Sequence, residues 1–326
     1  MDLRLALYEL AAEHRLDRER TRQLFGLAAL NDEAPGAARW LPRGVAVLGA
    51  ALGGLGVVLW IAANWDTLGR FGRFALLQGF VLAMCLGALW RPAARAPLGL
   101  LALLGIGALF AYFGQTYQTG ADPWQLFALW AVLALPLCLA VRSDVTWAPW
   151  ALVVMTAISL WVHAHTGHRW RVEPDDLGAH LAGWLAAAAL TGALSPALKR
   201  YSGAGPWALR GAATLAIVMV TLTAIGGLFH RDVAPHYWLG LVLLAAAAAA
   251  LALPRWFEIY VLSAVALGWN TLAVAGLARW LFDRPHHGDP IGSLLFLGVI
   301  AAALLAGTVS GVMRLSRRHG SAGGAA

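Results

Sequence analysis

An all-α bundle of about ten membrane-crossing helices, preceded by a short amino-terminal helical hairpin, is the architecture predicted for this chain of 326 residues. Three observations carry that reading. Hydrophobic residues make up 60% of the sequence and charged residues only 13%, against roughly a quarter charged in soluble domains. Uncharged apolar runs long enough to cross about 30 Å of hydrocarbon recur along the chain. The lysines and arginines between the runs fall mostly on one side. A core helix in water keeps a polar face, which these runs lack, so the sequence reads as one dissolved in lipid.

Residues 1–40 form the hairpin and its linker. Leu3, Leu7 and Leu10 share one helical stripe, and Leu16, Gln23, Leu24, Leu27 and Leu30 mark a second helix with Asp17 as its N-cap. Pro35, Gly36 and Pro42 lead into the first span. The membrane domain, residues 41–314, holds ten runs at 44–63, 74–90, 96–117, 123–141, 145–162, 177–198, 211–229, 237–253, 259–278 and 290–313. Residues 315–326 are small and polar without periodicity, and are expected to be a disordered cytoplasmic tail. No apolar segment with a cleavage site precedes the first arginines, so no secretory signal peptide is read.

An even number of crossings puts both termini on one side. With the termini cytoplasmic, 17 Lys and Arg face the cytoplasm and 7 face outward, which the positive-inside rule favours. The topology expected is therefore multi-pass, with both termini cytoplasmic. The net charge of +7 reflects this topology and contact with anionic headgroups. It is not a nucleic-acid footprint, because no basic face carries aromatic platforms. Cys85 and Cys138 sit inside apolar runs, where a thiol is a small buried hydrophobe. The sixteen tryptophans, Trp40, Trp90, Trp147 and Trp280 among them, are expected to form an interfacial belt. Gly49, Gly53, Gly56, Gly307 and Gly311 offer faces for close helix packing.

The most informative stretch is FGQTYQTGADPWQLFALW, residues 113–130. Part of it has a structural cause. Gly120 suits a left-handed helix end, Asp122 an N-cap, Pro123 the first helical position and Gln125 the returning arm of a capping box. Gln115, Tyr117 and Gln118 have no such account. In the first loop, Asn64 and Asp66 flank Trp65 on the same outer face; Asn64 suits a helix end and Asp66 a cap. Brought together, Asn64, Asp66, Gln115, Tyr117, Gln118, Asp122 and Gln125 would form a ligand-binding pocket rimmed by Trp65 and Trp124, suited to a small polar solute such as a sugar or amide.

The segments WIAANW (60–65) and FGQTYQTGADPWQLFALW (113–130), preceded by LYELAAEHRLDRERTRQLFGL (7–27), resemble a bacterial family of predicted membrane proteins, domain of unknown function twenty-one fifty-seven. The resemblance covers about the first 145 residues. It implies a multi-pass inner-membrane location and supplies no catalytic residues.

Outward-facing histidines are a second candidate set: His163, His165, His168, His180, His230, His236, His286 and His287, with Glu173, Asp175, Asp176, Asp232, Asp283 and Asp289 nearby. The spacing HAHTGH permits two ligands, but no closed-site pattern of cysteines and histidines accompanies it, so no metal is expected. Within the hydrocarbon, Gln78, Asn270, Thr156, Thr214 and Thr271 are the notable polar groups, and no run contains a charge, which disfavours ion-coupled transport. No nucleophile–base spacing, phosphate loop or haem or zinc signature appears, so no cofactor and no catalytic residue is expected. Binding or transport of a small polar solute at the outer face is the leading expectation. The alternative is a membrane scaffold or sensor that holds a protein partner, of unknown identity, through the hairpin.

Overall fold

The computed structural model describes residues 3–27, 37–64, 69–117, 120–167, 171–254, 256–283 and 290–322. Among these residues the chain is all helix, with no strand, as expected for a chain whose backbone N–H and C=O groups must pair within their own segment in lipid. It divides into two units, residues 1–59 and 60–326.

The first unit holds α1 (Leu3–Glu13), α2 (Arg18–Leu27) and most of α3 (Ala37–Ala63). α1 packs on α2, and Ala11 is buried. Asp17 caps α2 as its position predicts: its carboxylate accepts the Arg20 N–H at 2.8 Å and its carbonyl accepts the Thr21 N–H at 2.9 Å. Pro42 falls inside α3 rather than in a linker. Leu30, expected in the second helix, and Pro35 and Gly36, expected in the linker, lie outside the described residues.

The second unit begins in the last turn of α3. It continues through α4 (Arg70–Trp90), α5 (Arg95–Tyr117), α6 (Pro123–Val141), α7 (Asp144–His165), α8 (Leu177–Ala193), α9 (Lys199–Ser202), α10 (Pro206–Leu228), α11 (Pro235–Leu251), α12 (Ile259–Phe282) and α13 (Pro290–Ala322). Each of the ten apolar runs lies on helix over most of its length. Seven helices among the described residues are long and apolar enough to cross a membrane, eight if the bent pair 174–193 and 196–202 is one span. The stretches 44–57 and 235–251 are apolar but shorter. α13 runs on to Ala322, so residues 316–322 of the polar tail are helical rather than disordered.

α7 and α10 sit at the centre. α7 packs on α5, α6, α8 and α10, while α10 packs on α7, α8, α11 and α12; α4 lies against α5 and α13 against α12. Two glycines set close approaches. A Cβ on Gly183 of α8 would run into Val162 of α7 and, at 2.8 Å, Met219 of α10, so this glycine lets three helices converge. Gly107 of α5 likewise admits the Trp130 ring, whose indole N–H donates to the Leu103 carbonyl at 3.0 Å. Gly307 and Gly311, expected to mediate such packing, face open space. Trp90 is almost fully exposed and Trp280 partly so, in keeping with a belt, but Trp147 is buried and donates to the Ser202 carbonyl at 2.9 Å. Its position near a helix start hid a core role.

Charged groups tie the helices at their ends. Asp144, in the first turn of α7, accepts backbone N–H groups of Gly205 (2.7 Å), Trp207 (3.0 Å) and Ala208 (3.3 Å), and so caps the N-terminus of α10 from a different helix. Glu258 caps α12 through the Val261 N–H at 2.6 Å and pairs with Arg210 at 2.9 Å. Within the hydrocarbon, Asn270 of α12 donates to Thr308 of α13 at 2.9 Å. Removing the acceptor in Asp144→Ala is expected to destabilise the bundle by about 1–3 kcal/mol, with Asp144→Asn costing less. Unfolding of the purified protein in detergent would check both.

Candidate functional site

The amide-rich residues lie at the end of the bundle where α5 finishes, α6 begins and α7 finishes, here called the histidine end. Asn64 follows α3, and its side-chain amide donates to the Trp60 carbonyl at 2.9 Å, closing its own helix. Gln115 and Tyr117 are exposed at the end of α5. The Tyr117 ring lies 4.8 Å from Phe113 and 6.0 Å from Phe74, centroid to centroid, with the Arg70 guanidinium 5.8 Å away. Gly120 adopts the left-handed conformation, φ 67°, and Asp122 and Pro123 take the N-cap and first helical positions of α6. The capping box itself is not made. Asp122 forms no side-chain cap bond, and the Gln125 backbone N–H bonds the Asp122 carbonyl while the Gln125 side chain is exposed. Asp66 and Gln118, with Trp65, lie outside the described residues.

The same end holds a histidine cluster that spacing alone did not bring together. His236, at the start of α11, is fully buried, and its Nε2 lies 3.2 Å from Nδ1 of His180 on α8. The two rings meet edge to face at 4.9 Å, and Trp184 stands edge-on to His236 at 6.5 Å. The His180 Nδ1 also lies 3.1 Å from the Asp176 carbonyl. His236 Nδ1 is buried without a hydrogen-bond partner. Nearby, Glu173 pairs with Arg171 at 3.1 Å and with His230 at 3.0 Å. The members of HAHTGH separate: His165 stacks on Trp161 and bonds its carbonyl at 2.8 Å, whereas His163 turns to a cleft. Among the described residues no three His, Cys, Asp or Glu side chains gather closely enough to hold a metal ion. His168, His286, His287 and Asp289 lie outside them.

That cleft, of about 570 Å³, lies between α7, α8 and α10. Thr156, Ser159, His163 and Thr166 line it from α7 at successive spacings of three, four and three residues, which places them on one helical stripe. His180 joins them from α8 and Thr223 from α10; Leu215, Val218, Met219 and Leu222 make the apolar wall. Among the described residues its lining has no acid, lysine or arginine. The opposite face of α7 lines a second, wholly apolar groove of about 370 Å³ between Trp124, Trp150 and Trp161. The stripe was readable in the sequence as a period of polar residues within an apolar run, but such a period does not reveal that a cavity faces it.

His236→Ala removes a fully buried ring and leaves a void beside Trp184, with an expected loss of about 2–4 kcal/mol. His236→Phe is expected to recover about half of that, since it restores the buried ring but gives up the Nε2 contact with His180. Thermal unfolding of the two variants in the same detergent would check the order.

No curated protein matches the chain, and no solved structure does. Over residues 8–147, which contain both WIAANW and FGQTYQTGADPWQLFALW, the chain is similar to the family described as predicted membrane protein (DUF2157), the family that those motifs resemble.

Proposed function

We propose that this protein crosses a bacterial inner membrane ten times, with both termini in the cytoplasm, and binds a small polar-headed ligand in the cleft between α7, α8 and α10. Ten crossings take in the seven long apolar helices, the bent pair and the two shorter ones. The orientation rests on the excess of Lys and Arg at the end opposite the histidines. The observation that carries the binding reading is the stripe of Thr156, Ser159, His163 and Thr166 facing a cavity. Polar side chains on a spanning helix turn inward or toward a water-filled or ligand-filled space, because lipid offers them no hydrogen bonds. A largely apolar pocket with a few convergent polar groups is also the usual form of a small-molecule site.

With the termini inside, the histidine end faces outward, and the cleft draws its ligand from that side. Asn64, Asp66, Gln115, Tyr117, Gln118, Asp122 and Gln125 belong to the same face in this reading and supply the first polar contacts. Ser159→Trp is expected to fill the cleft. A small molecule that co-purifies with the wild type, identified by mass spectrometry of the protein released from its membrane, should be lost from that variant at unchanged expression. A wild-type protein that carries nothing, from any lipid background, would sink the reading.

A second reading, a scaffold that holds a protein partner through the α1–α2 hairpin, is favoured by the exposed Leu10 on α1. Deleting residues 3–27 should then remove a cross-linked partner, whereas the cleft reading expects ligand retention to survive the deletion.

A further inference from the structure

We infer that the cleft between α7, α8 and α10 takes the head of a membrane lipid, an uncharged polar group whose chains stay in the bilayer, and that this lipid enters sideways from the outer leaflet; this rests on the binding reading above. The cleft is open along one side. Leu152 of α7 and Val218 and Leu222 of α10 belong to its lining, yet they are exposed, at 55%, 45% and 62%. Exposed leucine and valine well inside a spanning helix face hydrocarbon, so the mouth they form opens into lipid tails. A water-soluble solute held there would turn its outer side to those tails and lose its hydrogen bonds with water. An amphiphile avoids that cost, because its chains meet the tails while its head meets the polar stripe.

The polar groups are graded in depth. Ser159 lies six residues and Thr156 nine residues before the end of α7 at His165, which is about 9 and 14 Å along the helix axis. One leaflet of hydrocarbon, half of the whole core, is about 15 Å thick. The stripe therefore spans one leaflet and stops near the midplane, where Leu152 and Leu215 take over the lining. A head can sink that far and no farther, which is the form of a binding site rather than of a path across the membrane.

Ser159 has an unmet hydrogen-bonding need. Thr156, Thr191, Thr214, Ser263 and Thr271 each donate to the carbonyl four residues back, at 2.7 to 2.9 Å. Ser159 makes no hydrogen bond with a described residue, and it lines the cleft. A hydroxyl both donates and accepts, so it suits a head that does either. Charge is what the lining disfavours. Among the described residues His163 and His180 are the only lining groups that can ionise, and no acid, lysine or arginine is there to act as a counter-ion. While the imidazoles are neutral, a phosphate or an ammonium would be desolvated without a partner.

The test uses the full-length protein in lipid nanodiscs at about pH 8, where an ordinary imidazole is neutral, and a diacylglycerol bearing a photoactivatable diazirine close to its glycerol. Saturable cross-links mapped by mass spectrometry are expected in residues 156–166 and 215–223. Unlabelled diacylglycerol should compete about tenfold better than phosphatidic acid with the same chains. Glycerol, the head without chains, should not compete. Ser159→Ala should weaken labelling about fivefold. Leu222→Trp closes the mouth from the lipid side, leaves the stripe intact and should remove most of the labelling. Equal competition by phosphatidic acid would overturn the uncharged head. Competition by glycerol, or full labelling of Leu222→Trp, would overturn entry from the bilayer, and absence of cross-links in both segments would overturn the whole inference. The binding reading is decided separately, by whether a molecule co-purifies with the wild type and not with Ser159→Trp.

Discussion

Hydrocarbon offers no hydrogen bonds, so each backbone N–H and C=O within the spans must find its partner inside the same helix. That constraint makes every regular element among the described residues a helix and leaves the helix ends as the places where polar groups stay unpaired. The chain meets the need at those ends with side chains that also reach other helices. Asp144 of α7 holds three N–H groups at the start of α10, Glu258 caps α12 while pairing with Arg210, and the Arg142 guanidinium donates to the Arg200 carbonyl at 2.6 Å. Because these partners come from separate helices, satisfying the backbone also fixes which helices are neighbours.

The same constraint explains why the middle of the bundle carries so few polar groups and why each deserves a physical reason. Hydroxyls at 156, 214, 223 and 271 bond carbonyls of their own helices, which removes most of the cost of placing them in lipid. Asn270 reaches Thr308 and ties α13 to α12. The stripe on α7 differs from these single cases because its members share one face and that face looks onto a cavity. α7 and α10 are the most connected helices, and Gly183 lets α8 close on both, so the cleft is bounded by the most constrained part of the fold.

Much of the architecture was readable from residues in order. Asp17, Gly120, Asp122 and Pro123 stand where local rules of capping and turn conformation put them, since those rules concern only neighbours in sequence. Local rules did not decide every contact. Gln125 does not return to close a capping box at Asp122. Trp147 leaves the interface for the core because the Ser202 carbonyl, 55 positions away, accepts its indole N–H. Residues 316–322 stay helical as a continuation of α13, where extending an existing helix requires no new nucleus.

The candidate site divides the same way. Hydropathy, charge asymmetry and the spacing of apolar runs determine by themselves a membrane-embedded all-helical chain, because partition into lipid depends on composition summed along each segment. Which polar side chains meet was decided only in three dimensions. His180 and His236 lie 56 positions apart and touch, while His163 and His165, two apart, turn to different surroundings. A contact between helices depends on their rotation and depth, and those are set by the packing of α7, α8, α10 and α11 on one another, which no single run of residues encodes.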